Sequence, residues 1–329
     1  MSRISLQVVL EEGAFDPENI VGIAKEENLD MDLFIIDPGS RTIKGYMSDG
    51  GITGNVKSSG NFIKDIQNTL KRSEGDFFAV VRSDRMCSMP TLMRMITKAE
   101  EGYDVVVASR FPGKRKFDVK TAIIKLLVRE MNGISDPLSP FFIARRDLIE
   151  NIDLSTSPET ILPEIIIRNR KPRVAEVKAD YPGRGRVYSG SFILYCLSLL
   201  KLSNYRALKF ALVGITGIAI NEGAEYVFHS YTGFIIPVAL FLSIELSIIW
   251  NFIFNNAWTF SDRKSGGFLY KLGKYNAVTA LGAAINYGVG IGLATIVFYL
   301  YANLLGIFIG FLVNYLGSDY LVWKIEANE

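Results

Sequence analysis

Two short β-rich runs of this chain end in acids set in polar turns, Ile36-Asp37-Pro38-Gly39-Ser40 and Val81-Arg82-Ser83-Asp84. A carboxylate just past a strand is placed to hold a hard cation or to accept hydrogen bonds from a polar ligand. One such acid alone is ordinarily a turn former. Two at neighbouring strand ends make a binding edge an equally good reading. Further along, Arg184 and Arg186 stand beside Gly183 and Gly185, shortly before an apolar tail. Guanidinium groups there suit phosphate, with a solvated face as the alternative. Other chemistries fall away. Cys87 and Cys196 are isolated thiols that make neither a disulfide framework nor a zinc site. His229 is the single histidine, which argues against histidine-based metal or triad chemistry. A net charge of +2 gives no basic field, so no nucleic acid partner is expected.

The elements that must position these groups read as an alternation. Residues 5–10, 33–36, 77–81 and 105–108 are short and β-rich, whereas 17–27, 61–72 and 90–101 are amphipathic at helical spacing. Strands separated by helices predict an α/β domain with a largely parallel sheet, whose ligands sit at the carboxyl ends of strands.

The rest of the chain is of another kind. Its 329 residues suggest about two domains. Of 70 charged side chains, 57 fall in residues 1–206 and 13 in 207–329. That second density is too low for a water-facing surface. Four apolar segments, about 207–228, 234–254, 275–298 and 300–321, are each long enough to span a bilayer of ~30 Å as a helix. Lys201, Arg206 and Lys209 precede the first, Arg263, Lys264, Lys271 and Lys274 separate the second and third, and Lys324 follows the fourth. The two short outer turns hold no Lys or Arg, so both termini and the central loop are expected in the cytosol. Met1-Ser-Arg-Ile runs into Glu11-Glu12 without a long apolar core, which predicts no signal peptide. Residues 268–274 read as a short interfacial helix with lysines at the headgroups. Residues 192–200, apolar but too short to span, read as an interfacial helix or as core packing.

The spans repeat internally. Lys209, Val213, Gly217, Ala219, Ile220 and Asn221 recur as Lys274, Val278, Gly282, Ala284, Ile285 and Asn286 at a constant offset of 65, and Asn251-Phe252 is echoed by Asn314-Tyr315. Two tandem helical hairpins are therefore expected. Glu222, Glu225 and Glu245 are costly in spans; they either bond between helices or line a functional cavity.

The spans resemble the GtrA family of four-span proteins. Lys209-Phe210, Val213-Gly214 and the stretch Asn251-Phe252-Ile-Phe-Asn255-Asn-Ala-Trp258-Thr-Phe260 carry the likeness, over about 120 residues. The first part resembles the family 2 glycosyltransferases, in particular polyprenyl-phosphate (dolichol-phosphate) mannosyl- or glucosyltransferases. Asp37-Pro-Gly-Ser40 stands where that family has Asp-Asp-Gly-Ser, and Arg82-Ser83-Asp84 falls on its Asp-x-Asp. Gly102-Tyr-Asp-Val-Val-Val-Ala-Ser-Arg110, then Asp136-Pro-Leu-Ser139-Pro-Phe-Phe-Ile-Ala-Arg145-Arg146, and finally Arg186-Val-Tyr-Ser-Gly-Ser191 follow in the family's order.

The resemblance implies a GT-A type domain over 1–191, a linker or interfacial helix over 192–206, and a GtrA-like membrane domain over 207–329. It implies an inverting hexosyltransferase in the cell membrane that takes a GDP-mannose or UDP-glucose type nucleotide sugar and a polyprenyl phosphate; a homo-oligomer stays open. Asp84 would hold Mg²⁺ or Mn²⁺ and act with Arg82 as the catalytic pair. Asp37, Ser40 and Arg110 would seat the donor, and Ser139, Arg145, Arg184, Arg186 and Ser191 the acceptor phosphate. Several positions depart from the pattern. Arg82 replaces the first acid and could neutralise a diphosphate without any metal. The first strand ends Leu10-Glu11-Glu12-Gly13-Ala14, Pro38 replaces an acid, and Phe192 replaces a lysine. A homologue that binds lipid phosphate or a partner without turnover, or one that assists movement of lipid-linked sugar, is the alternative.

Overall fold

The computed structural model describes residues 3–9, 17–37, 39–46, 52–83, 88–110, 119–150, 152, 154, 160–169, 172–180, 192–263 and 266–324. The chain divides into two units, Met1–Ser203 and Asn204–Glu329.

The first unit is built on one sheet. Its strands are β1 (Ile4–Val9), β2 (Met31–Asp37), β3 (Thr42–Tyr46), β4 (Ile52–Lys57), β5 (Phe77–Arg82), β6 (Val105–Ser109), β7 (Phe142–Arg145) and β8 (Val174–Lys178), in the order β4-β3-β2-β1-β5-β7-β6-β8. The helices are α1 (Pro17–Glu26), α2 (Phe62–Arg72), α3 (Met89–Glu100), α4 (Val119–Leu127), α5 (Asp147–Glu150), α6 (Ile161–Arg168) and α7 (Phe192–Leu202). The long apolar strands β1, β2 and β5 are covered on both faces, which is why they read as unbroken apolar runs. Leu6, Val8, Leu33, Ile35, Ala79 and Val81 pack with Ile20 and Ala24 of α1 and Leu92 and Ile96 of α3. On the opposite face Val9, Ile36, Phe78 and Val80 pack with Ile66 and Leu70 of α2, Ile124 of α4, Ile161 and Ile165 of α6, and Tyr195 and Leu199 of α7.

Parallel pairing joins β1 to β2, β1 to β5 and β6 to β8. The remaining pairs, β2–β3, β3–β4, β5–β7 and β6–β7, are antiparallel, so the sheet is mixed rather than largely parallel. The cause at β3 and β4 is short connections, which cannot make the crossover a parallel pair requires. β7 enters between β5 and β6 and opposes both.

The second unit has four long helices. They are α8 (Arg206–Ser230), α9 (Ile236–Phe254), α10 (Phe268–Ala294) and α11 (Tyr299–Gly317), and α9 and α11 each run on into a π-helical turn, Asn255–Thr259 and Ser318–Val322. All four are long and apolar enough to cross a membrane. The interfacial helix expected at 268–274 is not separate. It is the first part of α10, because nothing between Phe268 and Tyr275 breaks the helix. Lys271 is correspondingly buried and donates to the Arg263 carbonyl at 3.1 Å.

The repeat is realised in packing. Gly217 of α8 faces the Asn251 carboxamide of α9, and Gly282 of α10 faces that of Asn314 on α11. The hairpins are joined at one end by Trp323, which stacks on Phe260 at 4.5 Å and donates from Nε1 to Asn256 Oδ1 at 3.0 Å. The buried pair Arg263–Asp319 lies at the same end. Near mid-span, Asn276 Nδ2 donates to Glu245 Oε2 at 3.4 Å.

Candidate active site

The carboxyl ends of β2, β1 and β5 form one edge, in register. Val9, the last residue of β1, lies opposite Ile36 on one side and Arg82 on the other. Asp37 and Arg82 therefore close the two strands that flank β1, roughly 10 Å apart across the sheet by strand spacing. Asp84, two residues beyond Arg82, lies outside the described residues, as do Arg184, Arg186 and Ser191; the Arg82 side chain is likewise not described.

Asp37 shapes its own turn. Its Oδ1 accepts from the backbone N–H groups of Gly39 at 2.9 Å and Ser40 at 3.1 Å, and Oδ2 accepts from Ser40 Oγ at 2.6 Å. Ser40 Oγ also lies 2.6 Å from Thr42 Oγ1. The Ser40 hydroxyl, then the Ser40 and Gly39 amides, hold the Asp37 carboxyl below its ordinary range, with Lys44 adding to the effect. A carboxylate offers about four lone-pair sites, and three bonds leave one on Oδ2 for a ligand donor.

Arg110 follows the end of β6 at the same edge. Its backbone N–H and Nε donate to Asp136 Oδ2 at 3.0 and 2.8 Å, and Nη2 to Oδ1 at 2.5 Å. Asp136 is 2% exposed, and its loop is held by Glu176 of β8, whose Oε1 accepts the N–H groups of Ser135 and Asp136 at 2.9 and 3.0 Å. Asp136 heads a motif that the sequence shows but carries no assigned role there, and Glu176 is marked only as an acid inside a short β-strand. Ser139 is buried too. Its hydroxyl bonds the Ala108 carbonyl at 2.6 Å and the Phe141 carbonyl at 2.9 Å, fastening β6 to the start of β7.

Arg145 is elsewhere. It ends β7 opposite Phe77, the first residue of β5, and so stands at the far edge of the sheet from Arg82. The five residue steps of β5 from Phe77 to Arg82 put the two roughly 17 Å apart. There it pairs with Asp104 at 2.8 Å and Asp147 at 2.7 Å, and these acids, Asp147 foremost, hold its guanidinium protonated more firmly than usual. The structure thus gathers Asp37, Ser40, Arg82, Arg110 and Ser139 at one edge and separates Arg145 from them. Among the described residues no three of His, Cys, Asp and Glu gather into a metal-holding group.

Comparison with known proteins places this architecture. Residues 209–323 match the GtrA/DPMS transmembrane domain. Over 275 residues, 77% of this chain and 78% of the relative, the chain is 30% identical to a dolichol-phosphate mannosyltransferase of Pyrococcus furiosus. The chain belongs to the dolichol-phosphate mannosyltransferase family. It is a membrane glycosyltransferase with a mixed-sheet domain ahead of a four-helix transmembrane domain. Among solved structures, glucosyl-3-phosphoglycerate synthase of Mycobacterium tuberculosis with Mn²⁺, UDP-glucose and phosphoglyceric acid is 13% identical, covering 61% of this chain and 79% of that one, with a TM-score of 0.41. Mannosyl-3-phosphoglycerate synthase of Rubrobacter xylanophilus is 18% identical, covering 54% and 65%, also with a TM-score of 0.41.

Proposed function

We propose that this protein transfers a hexose from a nucleoside diphosphate sugar, of the GDP-mannose or UDP-glucose type, to a polyprenyl phosphate at the cytosolic membrane surface. The carrying observation is the shared strand edge of Asp37 and Arg82 in a chain of this family. An acceptor phosphate oxygen attacks the anomeric carbon as the bond to the nucleoside diphosphate breaks, which inverts the configuration. That oxygen is already anionic near neutral pH, so no strong general base is needed.

In this reading Asp37 takes a donor N–H or O–H through its remaining Oδ2 lone pair, with Ser40 shaping the turn. Arg82 neutralises the leaving diphosphate. Arg184, Arg186 and Ser191 receive the acceptor phosphate. Arg110 and Ser139 act on the site indirectly, by fixing the loop between β6 and β7. The donor chemistry suits Mg²⁺ or Mn²⁺: such an ion is commonly held by one or two carboxylates together with substrate phosphates and water, and Asp84 is the acid available beside Arg82. When bound, the ion would add counter-charge to the diphosphate.

The helix α7 belongs to this proposal. Tyr195 and Leu199 pack inward, whereas Ile193, Leu194 and Leu197 are 72%, 64% and 53% exposed. Only three residues separate its end at Leu202 from the start of the membrane helix α8 at Arg206. In this reading the exposed apolar face of α7 meets the bilayer, where a polyprenyl phosphate head is presented.

A second reading, a homologue that binds lipid phosphate without turnover, is favoured by the arginine in the first acid position of Arg82-Ser83-Asp84. Incubating the full chain in liposomes with labelled nucleotide sugars and polyprenyl phosphate separates the two. Label in the lipid fraction supports transfer, and retained nucleotide without product supports the second reading.

A further inference from the structure

Lys209 of α8 and Lys274 of α10 occupy equivalent places in the two hairpins, 65 residues apart. Both are half-buried, and both ammonium groups sit over an aromatic ring. Lys209 Nζ is 5.7 Å from the centroid of Trp258, and Lys274 Nζ is 4.3 Å from that of Tyr270. The two rings face outward, 44% and 66% exposed.

Both pairs lie at the end of the bundle where α8 and α10 begin. Phe210, next to Lys209, touches Phe260 and Tyr315, and Tyr275, next to Lys274, touches Trp323. Lys209 also donates to Asn204 Oδ1 at 3.0 Å. The neighbouring acids are already engaged, Asp262 by Arg206 and Asp319 by Arg263. Among the described residues neither lysine forms an ion pair.

A cation with no counter-ion among the described residues, flanked by an exposed ring at the end of a spanning helix, matches an anionic lipid. The ammonium meets the phosphate, and the ring meets the first carbons of the lipid body. We propose that Lys209 with Trp258 and Lys274 with Tyr270 form two repeat-related sites for an anionic lipid phosphate. This rests on the membrane-spanning character of the helices and not on sugar transfer.

The test uses the full chain in nanodiscs of phosphatidylcholine, doped either with phosphatidylglycerol or with polyprenyl monophosphate, and counts retained lipids by native mass spectrometry. Wild type should retain two anionic lipids, Lys209→Gln or Lys274→Gln one, and the double variant none. Lys209→Arg with Lys274→Arg should keep both, which guards against loss through misfolding. Trp258→Leu and Tyr270→Leu should each loosen one lipid while leaving the lysines in place. Retention of both dopants assigns the sites to lipid phosphate in general, and retention of the polyprenyl form alone assigns them to the acceptor. An equal anionic lipid count in wild type and the double glutamine variant overturns the proposal.

Discussion

Asp37 and Arg82 terminate the two strands on either side of β1, where Val9 lies opposite Arg82 on one side and opposite Ile36, the residue before Asp37, on the other. An acid and an arginine thus share one strand edge, and if this edge seats the donor as proposed, its electrostatics are testable at a single position. Charge-assisted hydrogen bonds contribute about 1.5–3 kcal/mol, so Arg82→Ala should weaken nucleoside diphosphate binding by roughly 10-fold or more. Isothermal titration with GDP and UDP checks this, and an unchanged affinity would remove Arg82 from the donor site. Arg82→Asp should make binding more dependent on added Mn²⁺ than in wild type.

Asp37 predicts a pH profile. Its carboxyl titrates below the ordinary range, chiefly through Ser40. The turn it organises is therefore present above the ordinary aspartate value and is lost only as pH falls through the lowered one. Donor affinity should show no aspartate-like decline between pH 7 and 5. Asp37→Asn, which loses the acceptor for Ser40 Oγ, should weaken donor binding several-fold across that whole window.

Arg110 and Asp136 predict a coupling in stability. Removing one partner of a buried pair costs about 3–5 kcal/mol because the other charge is left uncompensated. Arg110 is 28% exposed on its side chain, so the lower end of that range applies. Arg110→Ala should lower the melting temperature, and adding Asp136→Asn should restore part of it. A melting temperature unmoved by Arg110→Ala would argue for a free phosphate-binding arginine instead.

In the membrane domain, a methyl group at Gly217 or Gly282 would run into the carboxamides of Asn251 and Asn314. Overpacking of this kind costs about 1–3 kcal/mol. Gly217→Ala and Gly282→Ala should each destabilise the detergent-solubilised protein by a similar amount. Gly288→Ala, where nothing lies within 4 Å, should not.

What the sequence reveals here follows the range of the interactions. The apolar runs of β1, β2, β5 and β6 and the helical spacing of α1 to α3 are local, and each is found within a residue or two of its expected place. The β3–β4 hairpin is hidden because Thr42-Ile43-Lys44-Gly45-Tyr46 is short and carries a glycine. β7 is only four residues long. Arg145 looks like a neighbour of Ser139 in sequence, but antiparallel pairing carries it across the sheet to Phe77. The bond between Arg110 and Asp136 spans 26 positions and leaves no local pattern. The membrane repeat was legible because residue identity itself recurs, whereas the buried place of Lys271 depends on helix α10 starting at Phe268.

Sugar transfer by this protein can be measured directly. The full chain in liposomes containing polyprenyl phosphate, supplied in turn with labelled GDP-mannose and UDP-glucose, with Mg²⁺ or Mn²⁺ and with chelator, is the direct measurement. It should give a lipid-soluble hexosyl phosphate product from one of these donors, in an amount that falls sharply in Arg82→Ala. Folded wild-type protein that forms no such product from either donor under any of these conditions would contradict it.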